Sequence, residues 1–292
     1  MDQTLRLNRE DVSKLPFPLK FHYIDVPKVD LGYVPWHWHS EIEINMVLEG
    51  ELLFFVDEKQ FHLKPGDGYF VNSDVLHMLR PPENCPDINI GCIFSENILA
   101  EKRSLIYQKF VKPIYGAAAY PFIILRREVP WQRDILECLK KMYQVLLEDR
   151  NGKELVVRML LEQMWLRIFE HNNELYVKEQ DSVLTAQDQR VKEMCGFINA
   201  HFQEPLELSK IAAEAHISVR EAIRCFNNIL SMTPHQYLQE RRLAAAKYLL
   251  TNTQLPIIDI AMQSGFNYSS YFSKIFRRNI GMSPNEYRKK LK

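Results

Sequence analysis

Residues 246–288 read AKYLLTNTQLPIIDIAMQSGFNYSSYFSKIFRRNIGMSPNEYR. A weaker copy of the same stretch lies upstream. Setting FNNILSMTPHQYLQERR (226–242) against FRRNIGMSPNEYRKKLK (276–292) pairs Phe226 with Phe276, Met232 with Met282, Pro234 with Pro284 and Tyr237 with Tyr287, each at an offset of 50. Further upstream, Ile211-Ala212 pairs with Ile260-Ala261 at an offset of 49, so one residue is inserted near the turn of the second copy. Self-similarity at a fixed period marks a repeated supersecondary unit. Each copy reads as a short helix carrying Ile-Ala, a tight turn, and a longer helix ending near Met-Ser/Thr-Pro.

That order is the outline of a helix-turn-helix. In the first copy a helix over about 208–215 turns Ile211 and Ala212 inward, and the small alanine allows a close helix crossing. His216 and Ile217 make the turn, and Ser218 is placed to accept from the free N–H groups of the next helix. That helix, VREAIRCFNNI, buries Ala222 and Phe226 and leaves Arg220, Glu221, Ile223, Arg224 and Asn227 outward. In the second copy Gly265 supplies the turn and Phe266 enters the core. The helix YSSYFSKIFRRN buries Phe272 and Phe276 and leaves Ser269, Ser270, Ser273, Lys274 and Arg277 outward. Between the copies, Pro234 starts a helix running to about Asn252, with Arg241, Arg242 and Lys247 on it.

With Gly265-Phe266, Tyr271-Phe272-Ser273, Phe276, Gly281, Ser283-Pro284 and Tyr287-Arg288 in place, the C-terminal part closely resembles the AraC-type transcription regulators. The resemblance implies seven helices, with two recognition helices entering successive major grooves of double-stranded DNA. It also implies RNA polymerase as a further partner. Carried over by position, the base readers are Arg220, Ile223 and Arg224 in the first copy, with Asn227 beside them. In the second they are Ser269, Ser270, Ser273 and Lys274. Arginine can bond both guanine acceptors and serine can serve either base type, whereas Ile223 can only touch a thymine methyl. Lys274 and Arg277 suit phosphates equally well. Two positions depart from the pattern. Ser231 stands where the second copy has Gly281, at a helix end that favours a left-handed residue. Tyr268 stands where a small polar cap is usual, so Asn267 is expected to take the cap and shift the start of the second recognition helix by one residue.

Charge separates the chain into halves. Residues 186–292 carry 15 Lys/Arg against 9 Asp/Glu, leaving 22 against 28 in residues 1–185, although the whole chain is neutral at 37 against 37. A basic C-terminal part suits a polyanionic partner. Hydrophobic residues make up 46% of the chain, which excludes a disordered protein. The five cysteines are scattered, with no CxxC, which fits a reducing cytoplasm better than a disulfide framework or zinc cluster. MDQTLRLNRED lacks the apolar run of a signal peptide, and no run approaches the roughly 18 apolar residues of a membrane span. The expectation is a cytoplasmic protein with no membrane partner.

Residues 18–126 read as β: EINMVL, ELLFFV, FHLK, YFVN, INIGCIF and FIIL are separated by turn-prone pieces such as DEKQ and PGDG. Residues 131–149 then change period, with Trp131, Ile135, Leu139, Met142 and Leu146 on one helical face and Leu136, Tyr143 and Leu147 as a second stripe. A second helix over about 154–171 follows a short connection, which implies an antiparallel pair. Its apolar surplus points to dimerisation. NNELYVKEQDSVLTAQ is polar and aperiodic and reads as a linker. The expected organisation is a sensing barrel over 1–130, a dimerising helix pair over 131–172, a linker over 173–187 and a DNA-binding domain over 188–292. The fold class is α+β: a cupin-like β-barrel with an appended helix pair, then an all-α double helix-turn-helix domain.

The cupin expectation rests on PWHWHSEIEINMVLEG, residues 35–50. His37, His39 and Glu43, with Gly50 closing the run, are followed by PGDGYFVNSDVLH and its His77. This resembles the two motifs of cupin barrels. Residues two and four apart on a strand face one side, so His37, His39 and Glu43 can converge. In metal cupins His37, His39, Glu43 and His77 would be the ligand set, and imidazole with carboxylate suits Zn, Fe, Mn or Ni. In AraC-type sensor domains similar residues line a pocket for a small effector, often a sugar. Trp36 and Trp38 would then stack on the ligand and His37, His39, Glu43 and His77 would bond its hydroxyls. Four readings stand open: an organic effector pocket with no required cofactor, a divalent metal site that is structural or sensory, a satisfied structural cluster, and a metal-dependent enzyme. Asn72 stands where family regulators usually have Pro, and no Asn follows His77 by four, both of which count against an enzyme.

Overall fold

A computed structural model describes residues 12–26, 32–83, 85–116, 120–148, 151–172 and 186–290. The chain divides into two compact units, Met1–Leu184 and Thr185–Lys292. The linker expected over 173–187 lies outside the described residues as far as 185, and its last two residues belong to a helix.

Among the described residues the first unit is built on nine strands: β1 (Leu19–Asp25), β2 (Val34–His37), β3 (Ile42–Gly50), β4 (Leu52–Val56), β5 (Lys59–Leu63), β6 (Gly68–Val71), β7 (His77–Arg80), β8 (Asp87–Phe94) and β9 (Phe122–Leu125). They form two antiparallel sheets, ordered β1-β8-β3-β6-β9 and β2-β7-β4-β5. Strand alternation decides what lies between them. Leu52, Phe54 and Val56 point inward from β4 and meet Val47, Tyr69, Val71 and Phe122 from the facing sheet. Phe54 stacks on Tyr69 with ring centroids 4.3 Å apart. Each fully buried side chain of this size contributes about 1.5–3 kcal/mol. Gly50 ends β3 at φ +78, where an added Cβ would fall 1.6 Å from the Pro86 carbonyl oxygen, so only glycine fits.

The other face of the five-stranded sheet is covered by α1 (Pro130–Leu147) and α2 (Lys153–Glu170), which explains why β3 and β6 are apolar on both sides. Ile135, Leu139 and Met142 of α1 and Val157, Leu161, Met164 and Ile168 of α2 pack on Ile42, Ile44, Phe70 and Ile90. Trp131 stacks on His171 at 4.6 Å, which fixes the pair as antiparallel. The second stripe of α1 is mostly not an outer surface. Leu136 is buried, and Tyr143 stacks on Phe21 and Tyr23 at 5.5 and 6.2 Å. The exposed apolar residues are instead Leu147 and, on α2, Leu155, Met159 and Leu166.

The second unit holds seven helices among the described residues: α3 (Ala186–His201), α4 (Leu208–Glu214), α5 (Val219–Leu230), α6 (Pro234–Asn252), α7 (Ile257–Gln263), α8 (Ser269–Ile280) and α9 (Pro284–Lys290). Ile211 and Ala212, then Ile260 and Ala261, are buried as the repeat requires. Ser218 caps α5, its Oγ accepting from Glu221 N at 3.2 Å. Asn267 does not take the corresponding place. Helix α8 starts at Ser269, and Tyr268 precedes it in extended conformation without a side-chain cap. A phenol cannot fold back onto the first free N–H groups, but the backbone turns in without one. Val219 and Ser269 are 50 apart, so the two recognition helices keep one register. Ser231 does occupy the left-handed region, at φ 53, where Gly281 has φ 80; the cost for a non-glycine residue there is about 1–2 kcal/mol.

Candidate metal centre and nucleic-acid interface

His37 closes β2, His39 lies in the following loop, Glu43 is the second residue of β3, and His77 opens β7. Pairing of β2 with β7 sets His37 directly opposite His77, and their ring centroids are 4.2 Å apart. One ligand atom from each of His37, His39, Glu43 and His77 lies within 4.8 Å of every other. All but His37 are buried.

The protons of this cluster can be assigned from its carbonyl partners. His37 Nδ1 donates to Pro35 O at 2.8 Å, His39 Nδ1 to Glu41 O at 3.0 Å, and His77 Nδ1 to Val75 O at 2.9 Å. A carbonyl oxygen only accepts, so each Nδ1 carries hydrogen and each Nε2 is the atom turned to the cluster; that of His39 donates to the Glu43 carboxylate. Outer hydrogen bonds of this kind orient metal-binding imidazoles. His39 Nε2 is 3.0 Å and His77 Nε2 3.6 Å from Glu43 Oε2. His77 Nε2 is buried without a hydrogen-bond partner. Tyr69 donates its hydroxyl to Glu43 Oε1 at 2.7 Å, leaving Oε2 for the imidazoles. Burial pushes the Glu43 carboxyl up, but His39 and His77 outweigh it and hold it well below the usual carboxylate range. Three imidazole Nε2 atoms and one anionic oxygen thus converge, and once the His39 proton is displaced they offer the donor chemistry of a divalent transition metal.

Trp36 is not gathered with them. Strand alternation turns it away from His37, and its ring meets the edge of Phe55 at 6.4 Å. Trp38 is partly exposed. Asn72, an irregularity in the sequence, is buried and clamps a loop. Its Nδ2 donates to Ile114 O and Tyr120 O, and its Oδ1 accepts from Ser73 N and Gly116 N. Proline could do none of this.

Farther along β3 a second polar group occupies the interior. Asn45 Nδ2 donates to Asn89 Oδ1 at 3.1 Å, and Asn89 Nδ2 to Asp87 Oδ1 at 3.2 Å. Burial, reinforced by Asp25, pushes the Asp87 carboxyl up to about 7 despite the Asn89 bond. Folded Asp87 therefore holds a proton that the unfolded chain releases at lower pH, so its contribution to stability falls as pH rises from about 4 to 7. Asp87→Asn is expected to stabilise the barrel by about 2 kcal/mol at pH 8 and by little at pH 4. Urea unfolding followed by tryptophan emission checks this, because all four tryptophans (Trp36, Trp38, Trp131 and Trp165) lie in the first unit.

In the second unit Arg220, Arg224 and Asn227 of α5 are exposed and Ile223 partly so. With Glu221 and Asn228 they make up the open outer face of α5. On α8, Ser270, Lys274 and Arg277 are exposed and Ser269 and Ser273 partly so, while Phe272, Ile275 and Phe276 form the buried face. Not every basic residue of the repeat is available to phosphates. Arg242 donates to Phe202 O and Glu204 O, both at 2.7 Å, the Arg241 guanidinium lies 5.5 Å from the Phe202 ring, and Lys247 is buried beside Tyr287. These three tie α6 to its neighbours. The sequence marks Glu221 as outward but not as a site residue, and it does not single out Asn228; the offset of seven from Glu221 on one helical face was the available signal.

The family model described as a helix-turn-helix domain matches residues 211–290, and that of the cupin domain matches 30–86. The uncharacterized HTH-type transcriptional regulator YdeC of Bacillus subtilis (strain 168) is 30% identical over 88% of this chain and 87% of its own length. The melibiose operon regulatory protein of Escherichia coli (strain K12) is 23% identical over 87% and 83%. Among solved structures, ToxT from Vibrio cholerae O395 aligns at 14% identity over 94% of this chain and 98% of its own, with a TM-score of 0.47. The chain belongs to the AraC-type transcription regulators. It is a DNA-binding regulator with an N-terminal cupin domain. Among the described residues, no helix is long and apolar enough to cross a membrane.

Proposed function

We propose that this regulator senses through a divalent metal ion held by the Nε2 atoms of His37, His39 and His77 and the Glu43 carboxylate. The observation that carries the reading is the anchoring of all three Nδ1 atoms to backbone carbonyls, which leaves three Nε2 atoms facing one anion. His77 Nε2 lies 3.6 Å from Glu43 Oε2, beyond hydrogen-bond length, and an ion between the two would satisfy both. When bound, the ion supplies a Lewis-acidic point that can take hydroxyl or carboxylate oxygens of a small effector. His37, the partly exposed member, marks the open side. An organic effector is the second reading. The likeness to a protein named for a melibiose operon supports a carbohydrate in that role. No turnover is assigned to the site.

Arg220, Ile223, Arg224 and Asn227 of α5, with Ser269, Ser270, Ser273, Lys274 and Arg277 of α8, read and hold DNA. The outer face of α2, with Leu155, Met159 and Leu166, pairs two protomers. The protein acts in the cytoplasm, with RNA polymerase as a further partner. Metal or effector occupancy shifts DNA binding only if it favours one arrangement of the halves over another.

Titrating the metal-free full chain with Zn²⁺, Mn²⁺ or anaerobic Fe²⁺ tests the reading. At a hundredfold excess over Kd the barrel's tryptophan-reported midpoint is expected to rise by about 5 °C or more, and a chelator should reverse it. A rise with sugars and none with any of these ions would replace the metal by an organic ligand.

A further inference from the structure

Three helices of the second unit open on a Ser/Thr-x-x-Glu/Gln sequence, the signature of a reciprocal capping box. At α6 both arms are made: Gln236 N donates to Thr233 Oγ1 at 3.2 Å, and Thr233 N to Gln236 Oε1 at 2.7 Å. At α9 both are made again, Glu286 N to Ser283 Oγ at 3.3 Å and Ser283 N to Glu286 Oε2 at 2.7 Å. At α5, the first recognition helix, the box stays open. Glu221 N donates to Ser218 Oγ, but the Glu221 carboxylate does not return to Ser218 N. It turns along the helix instead. Its Oε1 accepts from Arg224 Nη2 at 2.7 Å and lies 3.8 Å from Arg190 Nη1 on α3.

An acidic side chain on a DNA-facing surface repels phosphates, so its presence there calls for a compensating role. Arg224 supplies one. A guanidinium carries five donors in a rigid fork, and one of them engages Glu221. The rest lie on the open outer face of α5, where the side chain is exposed. An arginine already held in one orientation loses less rotamer freedom when it meets a base. Arg190, reaching from a different helix, fixes the carboxylate in turn.

We propose that Glu221 is the positioning residue for base readout by the first helix-turn-helix, holding Arg224 for the paired O6 and N7 acceptors of a guanine. This rests on the reading of Arg224 as a base contact. Glu221 acts through Arg224 and touches no base itself.

The test is selection from random duplex DNA by the full chain, with affinities then measured on single-base variants of the selected site. Arg224→Ala is expected to flatten the preference at one base pair. Glu221→Ala is expected to flatten the same base pair, by about fivefold or more, while affinity for random DNA holds or rises. The double variant should match Arg224→Ala alone. Glu221→Gln, which keeps an acceptor for Nη2, should retain most of the preference. Ser218→Ala, which removes the cap and leaves the clasp, should lower the melting temperature without flattening any position. A loss spread evenly over all sequences in Glu221→Ala would make Glu221 a structural residue and overturn the proposal. So would an altered preference at a different base pair that survives in the double variant, since Glu221 would then read a base directly. If Arg224→Ala flattened no position, the reading of Arg224 would fall and the proposal with it.

Discussion

Gly265→Ala is expected to destabilise the second unit by about 3 kcal/mol or more and to abolish specific DNA binding. Two costs combine. Gly265 has φ +82, where a Cβ is strained by about 1–2 kcal/mol whatever the space. The space is also missing, because that Cβ would fall 2.4 Å from Phe202 O and 2.8 Å from Arg242 Nε. Arg242 cannot simply move aside, since it satisfies the Phe202 and Glu204 carbonyls just beyond α3. The first copy supplies the control. His216 holds the matching turn at φ 54, but it is solvent-exposed, so only the conformational cost applies there. His216→Gly is therefore expected to stabilise the unit, by about 1 kcal/mol. Thermal unfolding followed by circular dichroism, beside DNA binding by the full chain, measures both. A mild effect of Gly265→Ala would mean that the two turns are packed alike.

His77→Leu is expected to lower metal affinity a hundredfold or more and, in the metal-free protein, to raise barrel stability by about 1 kcal/mol. Loss of an outer hydrogen bond to a ligand already costs about 10–100-fold, and here the ligand itself is gone. The opposite sign for stability follows from burial. His77 is fully buried, its Nε2 has no hydrogen-bond partner, and Phe54 and Val56 border it. An apolar side chain of similar size removes an unsatisfied polar atom at that spot, a gain set against the lost Nδ1 bond to Val75 O and the lost neighbour of Glu43. The His62→Ala control removes a surface histidine paired with Glu51 at 2.7 Å and should leave metal affinity unchanged. Tryptophan emission with and without Zn²⁺ reports both effects. A metal-free barrel that loses stability in His77→Leu would mark the cluster as structural.

Much of this could be read from residue spacing. The offsets of 50 and 49 located both helix-turn-helix units because a repeated unit must bury the same positions twice. His37, His39 and Glu43 do converge, but not through strand period: His37 ends β2, His39 lies in the loop and Glu43 is on β3 of the other sheet, so the chain folds between sheets to bring them together. Strand period should have kept Trp36 apart from His37, since neighbours on a strand face opposite ways. What spacing does not carry is which carbonyl each ring nitrogen meets, and that decides the character of the cluster. Nor does it carry choice between partners. Ser218 and Glu221 spell a capping box as clearly as Thr233 and Gln236, and only the presence of Arg224 and Arg190 explains why one closes and the other opens. The second stripe of α1 was legible as apolar, but not that Phe21 and Tyr23 would cover Tyr143.

The quartet draws His37 and His77 from the four-stranded sheet and Glu43 from the five-stranded one. Apolar contacts between two layers have no preferred direction, so they resist separation far better than they resist sliding. Metal–ligand bonds have fixed lengths. An ion at this end of the barrel would act as a rivet through both layers, turning a sandwich that can shear into one that can only pivot about that point.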